Sequence, residues 1–151
     1  MILAAAESLQ VRTMTIDELL EEFEELLDWE EQCDFLIDLG FELPHFPVEL
    51  KCDENIVRGC QSLVWLVAEH AVGNGVNMVN IQADSDSMIV KGLIAVLLAA
   101  YSEKTAQQIL DTDIEALFER MGLNQHLSST RRNGLHGMVQ RVRCFADEHA
   151  V

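Results

Sequence analysis

The sequence predicts one α+β domain, a three-stranded antiparallel sheet with helices packed on one side. Three observations carry this expectation. Apolar residues recur at helical spacing from Ile16 to Leu27 and again in the last third of the chain. The centre instead holds apolar runs on either side of Gly73-Asn74-Gly75, a sequence suited to a tight hairpin turn. With 151 residues, 49% of them apolar and 24% charged, the chain is long enough to bury a core without disulfide or metal staples.

Residues 1–14 carry no periodicity and are read as a frayed N-terminal extension, which leaves 15–151 as a single domain. Thr15 with Glu18 forms a capping box, and Ile16, Leu19, Leu20, Phe23, Leu26 and Leu27 give the helix that follows one apolar face. Asp28 with Glu31 repeats the pattern and opens a second helix through Trp29, Cys33, Leu36 and Ile37, which Gly40 is expected to close. Pro44 and Pro47 make Phe41–Leu50 a loop, because proline suits neither a helix interior nor a central strand.

Three strands are expected next, Asn55–Arg58, Leu63–Ala71 and Val76–Ala83. In the third, Val79, Ile81 and Ala83 alternate with Asn80 and Gln82, so one face is buried and the other wet. Asp84-Ser85-Asp86 supplies N-cap oxygens for Met88–Tyr101, a buried helix too short and too interrupted by Lys91 to span a bilayer. Thr105 with Gln108 caps a short helix, Asp113 starts another, and Ser128-Ser129-Thr130 precedes the last, whose Leu135, Met138, Val139, Val142 and Phe145 point inward.

The formal charge is −16, with only three lysines, which argues against nucleic acid and against anionic membrane surfaces. Thirteen of the twenty-six carboxylates lie between Arg12 and Lys51, where no Lys or Arg occurs, while half of the ten Lys and Arg residues fall between Arg120 and Arg143. Such unequal charge either solvates two helix faces or steers a partner. Met1–Ala6 lacks a basic start and breaks at Glu7, so no secretory signal is read. A cytoplasmic location, with the four cysteines reduced, is expected.

The chemistry-bearing stretch is Arg58-Gly59-Cys60-Gln61-Ser62, at a loop-to-strand junction. Gly59 allows a sharp turn and Arg58 supplies a charge that favours thiolate, although a lone cysteine there is also consistent with a small buried hydrophobe. Gly59-Cys60-Gln61-Ser62-x-Val64-Trp65 is followed by Asp84-Ser85-Asp86-x-x-Ile89-Val90-Lys91-Gly92-Leu93. Trp29-Glu30-Glu31 with Ile37-x-Leu39-Gly40, and Gln125-His126-Leu127-x-x-x-Arg131-x-x-Gly134-Leu135, complete four blocks. In this order they resemble the SufE/CsdE family of sulfur acceptor proteins.

The resemblance implies a SufE/IscU-like fold and a sulfurtransferase-type role. Cys60 would accept persulfide sulfur from a pyridoxal-phosphate-dependent cysteine desulfurase of the SufS/CsdA kind, stimulate that enzyme, and pass the sulfur to an iron-sulfur scaffold complex. No cofactor or metal of its own is expected. Arg58 and Arg131 are the candidates for holding the thiolate, and the stretch bearing Asp84 and Asp86 is placed near the cysteine loop. Gln61 and Ser62 either donate hydrogen bonds to the sulfur or terminate the loop. Lys91 either reaches the surface or pairs with one of the aspartates.

Cys33 and Cys144 are read as buried and structural, and Cys52 as an exposed bystander or as a resolving thiol for Cys60. Two rival functions stay open: a metal- or cluster-binding scaffold using Cys52, Cys60, His126 and an aspartate, and a non-catalytic adaptor that only docks to the desulfurase.

Overall fold

A computed structural model describes residues 14–58, 62–73 and 75–150, so the expected N-terminal extension lies outside the described residues except for Met14, which packs on the core. Helix α1 (Ile16–Glu25) begins with the full capping box: Thr15 Oγ1 accepts from Glu18 N–H at 3.1 Å and Glu18 Oε1 from Thr15 N–H at 3.0 Å. It stops at Glu25 because Leu26 turns extended, and Leu27, expected on the apolar face, is 89% exposed. Helix α2 (Trp29–Phe41) starts from Asp28, whose carboxylate accepts the Glu31 N–H at 2.9 Å.

Gly40 does not close α2. The helix continues to Phe41, and Gly40 instead sits where α2 crosses α3 (Met88–Tyr101). A Cβ on Gly40 would lie 2.8 Å from Lys91 Cβ and 2.9 Å from Gly92 N, and one on Gly92 would run into the backbone of Leu36. The two glycines let the helices approach closer than any pair bearing side chains allows. Leu36 and Ile94, both without exposed surface, fill the seam beside them.

The sheet has two long strands, β1 (Val64–Gly73) and β2 (Val76–Ser85), paired antiparallel from Val64 opposite Ser85 to Gly73 opposite Val76. Gly75 takes φ +78°, the left-handed conformation that a tight hairpin needs, while Asn74 lies outside the described residues. Val64, Leu66, Val79, Ala83 and Ser85 are buried against the helices. The opposite face carries Asn80 and Gln82, as the alternation in the sequence predicts, together with Glu69, Asp84 and Trp65, whose place in a strand suggests a core aromatic but which is only half-buried.

The expected third strand, Asn55–Arg58, is not one among the described residues. Asp53–Asn55 coils into a 3-10 turn, which leaves Ile56 opposite Trp65 as a single bridge and Val57 N–H donating to Val64 O at 2.8 Å. Two extended residues, Ile56 and Val57, between that 3-10 turn and a further turn at Arg58 are too few for a strand.

After the sheet come α3, α4 (Ala106–Leu110), α5 (Ile114–Arg120), α6 (Leu123–His126) and α7 (Ser129–His149). Thr105, Asp113 and Ser128 cap α4, α5 and α7 as their sequences predict. Ser87, not Asp84 or Asp86, caps α3, by accepting from Val90 N–H at 3.4 Å. Helix α7 packs along α4 and touches β1, and it buries Leu135, Met138, Val139 and Val142. Cys144, expected inside, is exposed on α7. Among the described residues no helix is long and apolar enough to cross a membrane.

The glycine crossing makes a direct test. Alanine favours helix over glycine by about 0.8–1.0 kcal/mol, whereas overpacking a close contact costs typically about 1–3 kcal/mol. Gly92→Ala places its methyl against backbone that has no freedom to rotate away, so strain should win by about 2 kcal/mol, seen as a lower denaturant midpoint at unchanged slope.

Candidate functional site

The three residues between Arg58 and Ser62, namely Gly59, Cys60 and Gln61, lie outside the described residues; what is defined is the chain on either side of them. On the entry side, Ile56 faces Trp65, Val57 is buried, and Arg58 is exposed. On the exit side comes half-buried Ser62, then Leu63. Leu63 N–H donates to Asp86 Oδ1 at 3.0 Å, and Asp86 N–H donates back to Leu63 O at 3.2 Å. Asp86 thus carries the β1–β2 pairing one step past Val64 and Ser85.

Asp84 does different work. It stands opposite Trp65 on the solvent face, where its Oδ2 lies 3.2 Å from Lys51 Nζ and its Oδ1 lies 3.5 Å from Lys91 Nζ. Lys91 therefore pairs with an aspartate, as one of its two sequence readings has it. Lys51 also holds its ammonium 5.1 Å from the centroid of the Trp65 ring, a cation–π contact. Partly exposed pairs of this kind contribute about 0–1 kcal/mol each. Their value is positional, since they pin the base of the loop to β2 and to α3.

Arg131 occupies the first turn of α7, where its backbone N–H donates to the capping Ser128 Oγ at 3.3 Å. Its guanidinium is within electrostatic range of Cys33 on α2. Burial pushes the Cys33 thiol above the ordinary range and Asp34 adds to this, while Arg131 opposes them. Beside it, the Trp29 and His126 rings stack with centroids 4.5 Å apart and 5° between planes, joining α2 to α6. Cys52 is exposed at the start of its 3-10 turn, and its Sγ accepts from Asn55 Nδ2 at 3.4 Å.

Sequence reasoning missed Arg141 and Lys51. The Arg141 guanidinium donates to Ile56 O at 2.8 Å and also to Glu54 O, gripping the entry segment from α7. A basic residue 85 positions from its partner leaves no local pattern to find. Among the described residues, which exclude Cys60, no three His, Cys, Asp or Glu side chains gather as a metal site requires.

The fold has a solved counterpart. The solution structure of a hypothetical protein from Thermus thermophilus superposes with a TM-score of 0.69 over 89% of this chain and 97% of its own, at 18% identity, a likeness of fold alone. The sequence goes further. The SufE family, described as an Fe-S metabolism associated domain, matches residues 17–146. An uncharacterized SufE-like protein of Rhizobium etli is 42% identical over 130 residues, covering 85% of this chain and 87% of the relative. Another, of Rhizobium meliloti, is 39% identical over 134 residues, 88% of this chain and 95% of the relative. The chain belongs to the SufE family.

The blocks that carried the resemblance meet in space: Trp29 on His126, Gly40 on Gly92, and Leu63 on Asp86.

Because burial raises the Cys33 thiol and Arg131 counters it, the pH profile of Cys33 alkylation should have its midpoint above the ordinary thiol value. Arg131→Ala should move that midpoint further to alkaline pH, read by mass spectrometry of the Cys33 peptide.

Proposed function

We propose that this protein is a persulfide carrier: Cys60 accepts sulfur from a pyridoxal-phosphate-dependent cysteine desulfurase and delivers it to an iron-sulfur assembly scaffold. One observation carries the reading. In a chain of the SufE family, the Gly59-Cys60-Gln61-Ser62 stretch that carries the resemblance follows directly on a segment held by the Val57 N–H to Val64 O bond and runs directly into Leu63, which is held to Asp86.

The chemistry is thiol–disulfide exchange on a persulfide. The Cys60 thiolate attacks the terminal sulfur of the desulfurase's cysteine persulfide, the enzyme's S–S bond breaks, and a new S–S bond forms on Cys60. The enzyme's cysteine leaves as thiolate and the proton stays on the transferred sulfur, so charge and atoms balance and no external oxidant or reductant is consumed. Taking the product sulfur away frees the desulfurase for another turnover, which is the sense in which the carrier stimulates it. Delivery repeats the exchange on an acceptor thiol of the scaffold, with the cluster as cargo.

Thiolate is the reactive form, so cationic groups near the loop favour the reaction. Arg58, exposed one residue before Gly59, is the nearest in sequence, and Arg131 is the second candidate. Gln61 and Ser62 follow the sulfur in sequence, and Asp84 and Asp86 hold the described chain on its exit side through Lys51, Lys91 and the Leu63 amide. The carrier needs no cofactor of its own, since the desulfurase holds the pyridoxal phosphate. It acts in the cytosol, where its thiols stay reduced.

The test is incubation with a cysteine desulfurase and cysteine, followed by mass spectrometry of each cysteine peptide. Persulfide should appear on Cys60, and Cys60→Ser should abolish both persulfide and desulfurase stimulation. Cys33→Ala, Cys52→Ser and Cys144→Ala should retain both. Undiminished stimulation by Cys60→Ser would mean that the protein only docks, and loss in Cys52→Ser would mean a two-cysteine relay.

A further inference from the structure

We propose that the groove between α1, the end of α2 and the second half of α3 docks a partner protein through a basic amphipathic segment, whose apolar stripe fills the groove and whose Lys and Arg side chains meet its acidic rim. The proposal goes beyond the reading of Cys60 and uses none of the residues assigned to it.

Apart from Lys91 and Gly92, helix α3 is apolar on every side, a pattern that belongs to a helix buried all round. One side is not buried. Val96, Leu97 and Ala100 have at most 1% of their surface exposed, whereas Ala95, Leu98 and Ala99 are half-buried among the described residues. These three stand with Ser102 at i, i+3, i+4 and i+7, so they share one face. Leu19 of α1, with Leu39 and Leu43 at the end of α2, walls that face into a cleft of about 240 Å³. Pockets that enclose a small ligand run to roughly 300–1,000 Å³, whereas a cleft of this size suits a few aliphatic side chains laid in from one helix face.

Charge selects what brings those side chains. Glu42 lines the mouth, and Glu18, Asp38 and Glu103 each adjoin a lining residue in the chain; all of these are exposed, and no Lys or Arg adjoins a lining residue. Phe41, 70% exposed, stands beside Glu42 as an apolar edge to the rim. Such a rim repels an anionic lipid surface, and a second copy of this chain, at −16, is repelled as a whole. Nor has a second copy a basic segment to offer. Arg120 is bonded to Glu24, while Arg132, Arg141 and Arg143 donate to carbonyls of their own chain. A separate protein with basic residues flanking an apolar stripe satisfies groove and rim together.

Leu98 lies two helical turns beyond Lys91, about 10 Å of helix rise. The groove is thus at the other end of α3 from the Lys91–Asp84 pair, and a partner held there meets a different end of the helix from one at Leu63 and Asp86.

The experiment titrates the full chain with a fluorescein-labelled leucine-lysine peptide patterned as an amphipathic helix, read by anisotropy, and maps the contact by hydrogen exchange. The peptide should bind, more weakly as salt rises, and should slow exchange at the Glu42 and Leu43 amides that close the end of α2. A shuffled peptide of the same composition, and a leucine-glutamate peptide of the same pattern, should each bind about tenfold more weakly. Ala99→Arg, which puts a cation into the groove, should weaken binding about tenfold and Glu42→Gln about threefold, while Glu115→Gln on α5 changes nothing. Ser102→Arg, at the exposed end of the groove, repeats the first test if Ala99→Arg lowers the Tm. Equal binding of the shuffled peptide, or equal loss in Glu42→Gln and Glu115→Gln, overturns the proposal in favour of diffuse attraction by the acid. Equal binding of the leucine-glutamate peptide overturns it in favour of an occupant chosen by apolarity alone. Glu42 and Leu43 amides that are protected before any peptide is added, with no binding, overturn it in favour of residues 1–13 or, where protection grows with protein concentration, of a second copy.

Discussion

The close crossing of α2 and α3 is the constraint on which the rest of the molecule depends. Where Gly40 meets Lys91 and Gly92, two helices lie nearer than side chains would permit, and α3 is thereby fixed against the acidic N-terminal half. Lys91 is part of that contact through its Cβ and part of the loop base through its ammonium, 3.5 Å from Asp84. Packing in the core is therefore transmitted in one side chain to the carboxylate beside the loop. Interiors this dense move as units, so the loop base inherits the rigidity of the crossing.

The chain on either side of residues 59–61 is held by backbone more than by side chains. Val57, Val64, Leu63 and Asp86 exchange main-chain hydrogen bonds or accept them on one carboxylate oxygen, and Arg141 reaches only carbonyls. Hydrogen bonds to backbone fix the course of the chain whatever the side chains on it are. The exposed groups here, Arg58, Leu63 and Met88, are left to face outward.

Helices were legible wherever a cap carries its own mechanism. Thr15 with Glu18, Thr105 with Gln108, Asp113 and Ser128 each mark a start that the structure keeps. The hairpin was legible from alternation and from its glycines. Less legible were residues with two plausible employments. Gly40 looks like a helix stop, but helix packing claims it. Asp84 and Asp86 look like caps, but Ser87 lies closer to the first turn and frees them for Lys51, Lys91 and the Leu63 amide. The supposed strand at Asn55–Arg58 has suitable residues but not the length, once Asp53–Asn55 coils. The family blocks located Cys60 in the chain, yet the grip of Arg141 on Ile56 lies beyond any local pattern, because its partners are backbone atoms that any residue would supply.

Of the two tryptophans in the chain, Trp29 is stacked on an imidazole far along the sequence, whereas Trp65 faces Ile56 at the foot of the cysteine loop, beneath the Lys51 ammonium. Indole emission responds to nearby charge and to exclusion of water. The protein therefore carries its own optical probe beside the loop, and a partner that displaces Lys51 or covers Trp65 will change its colour and intensity without any label being attached.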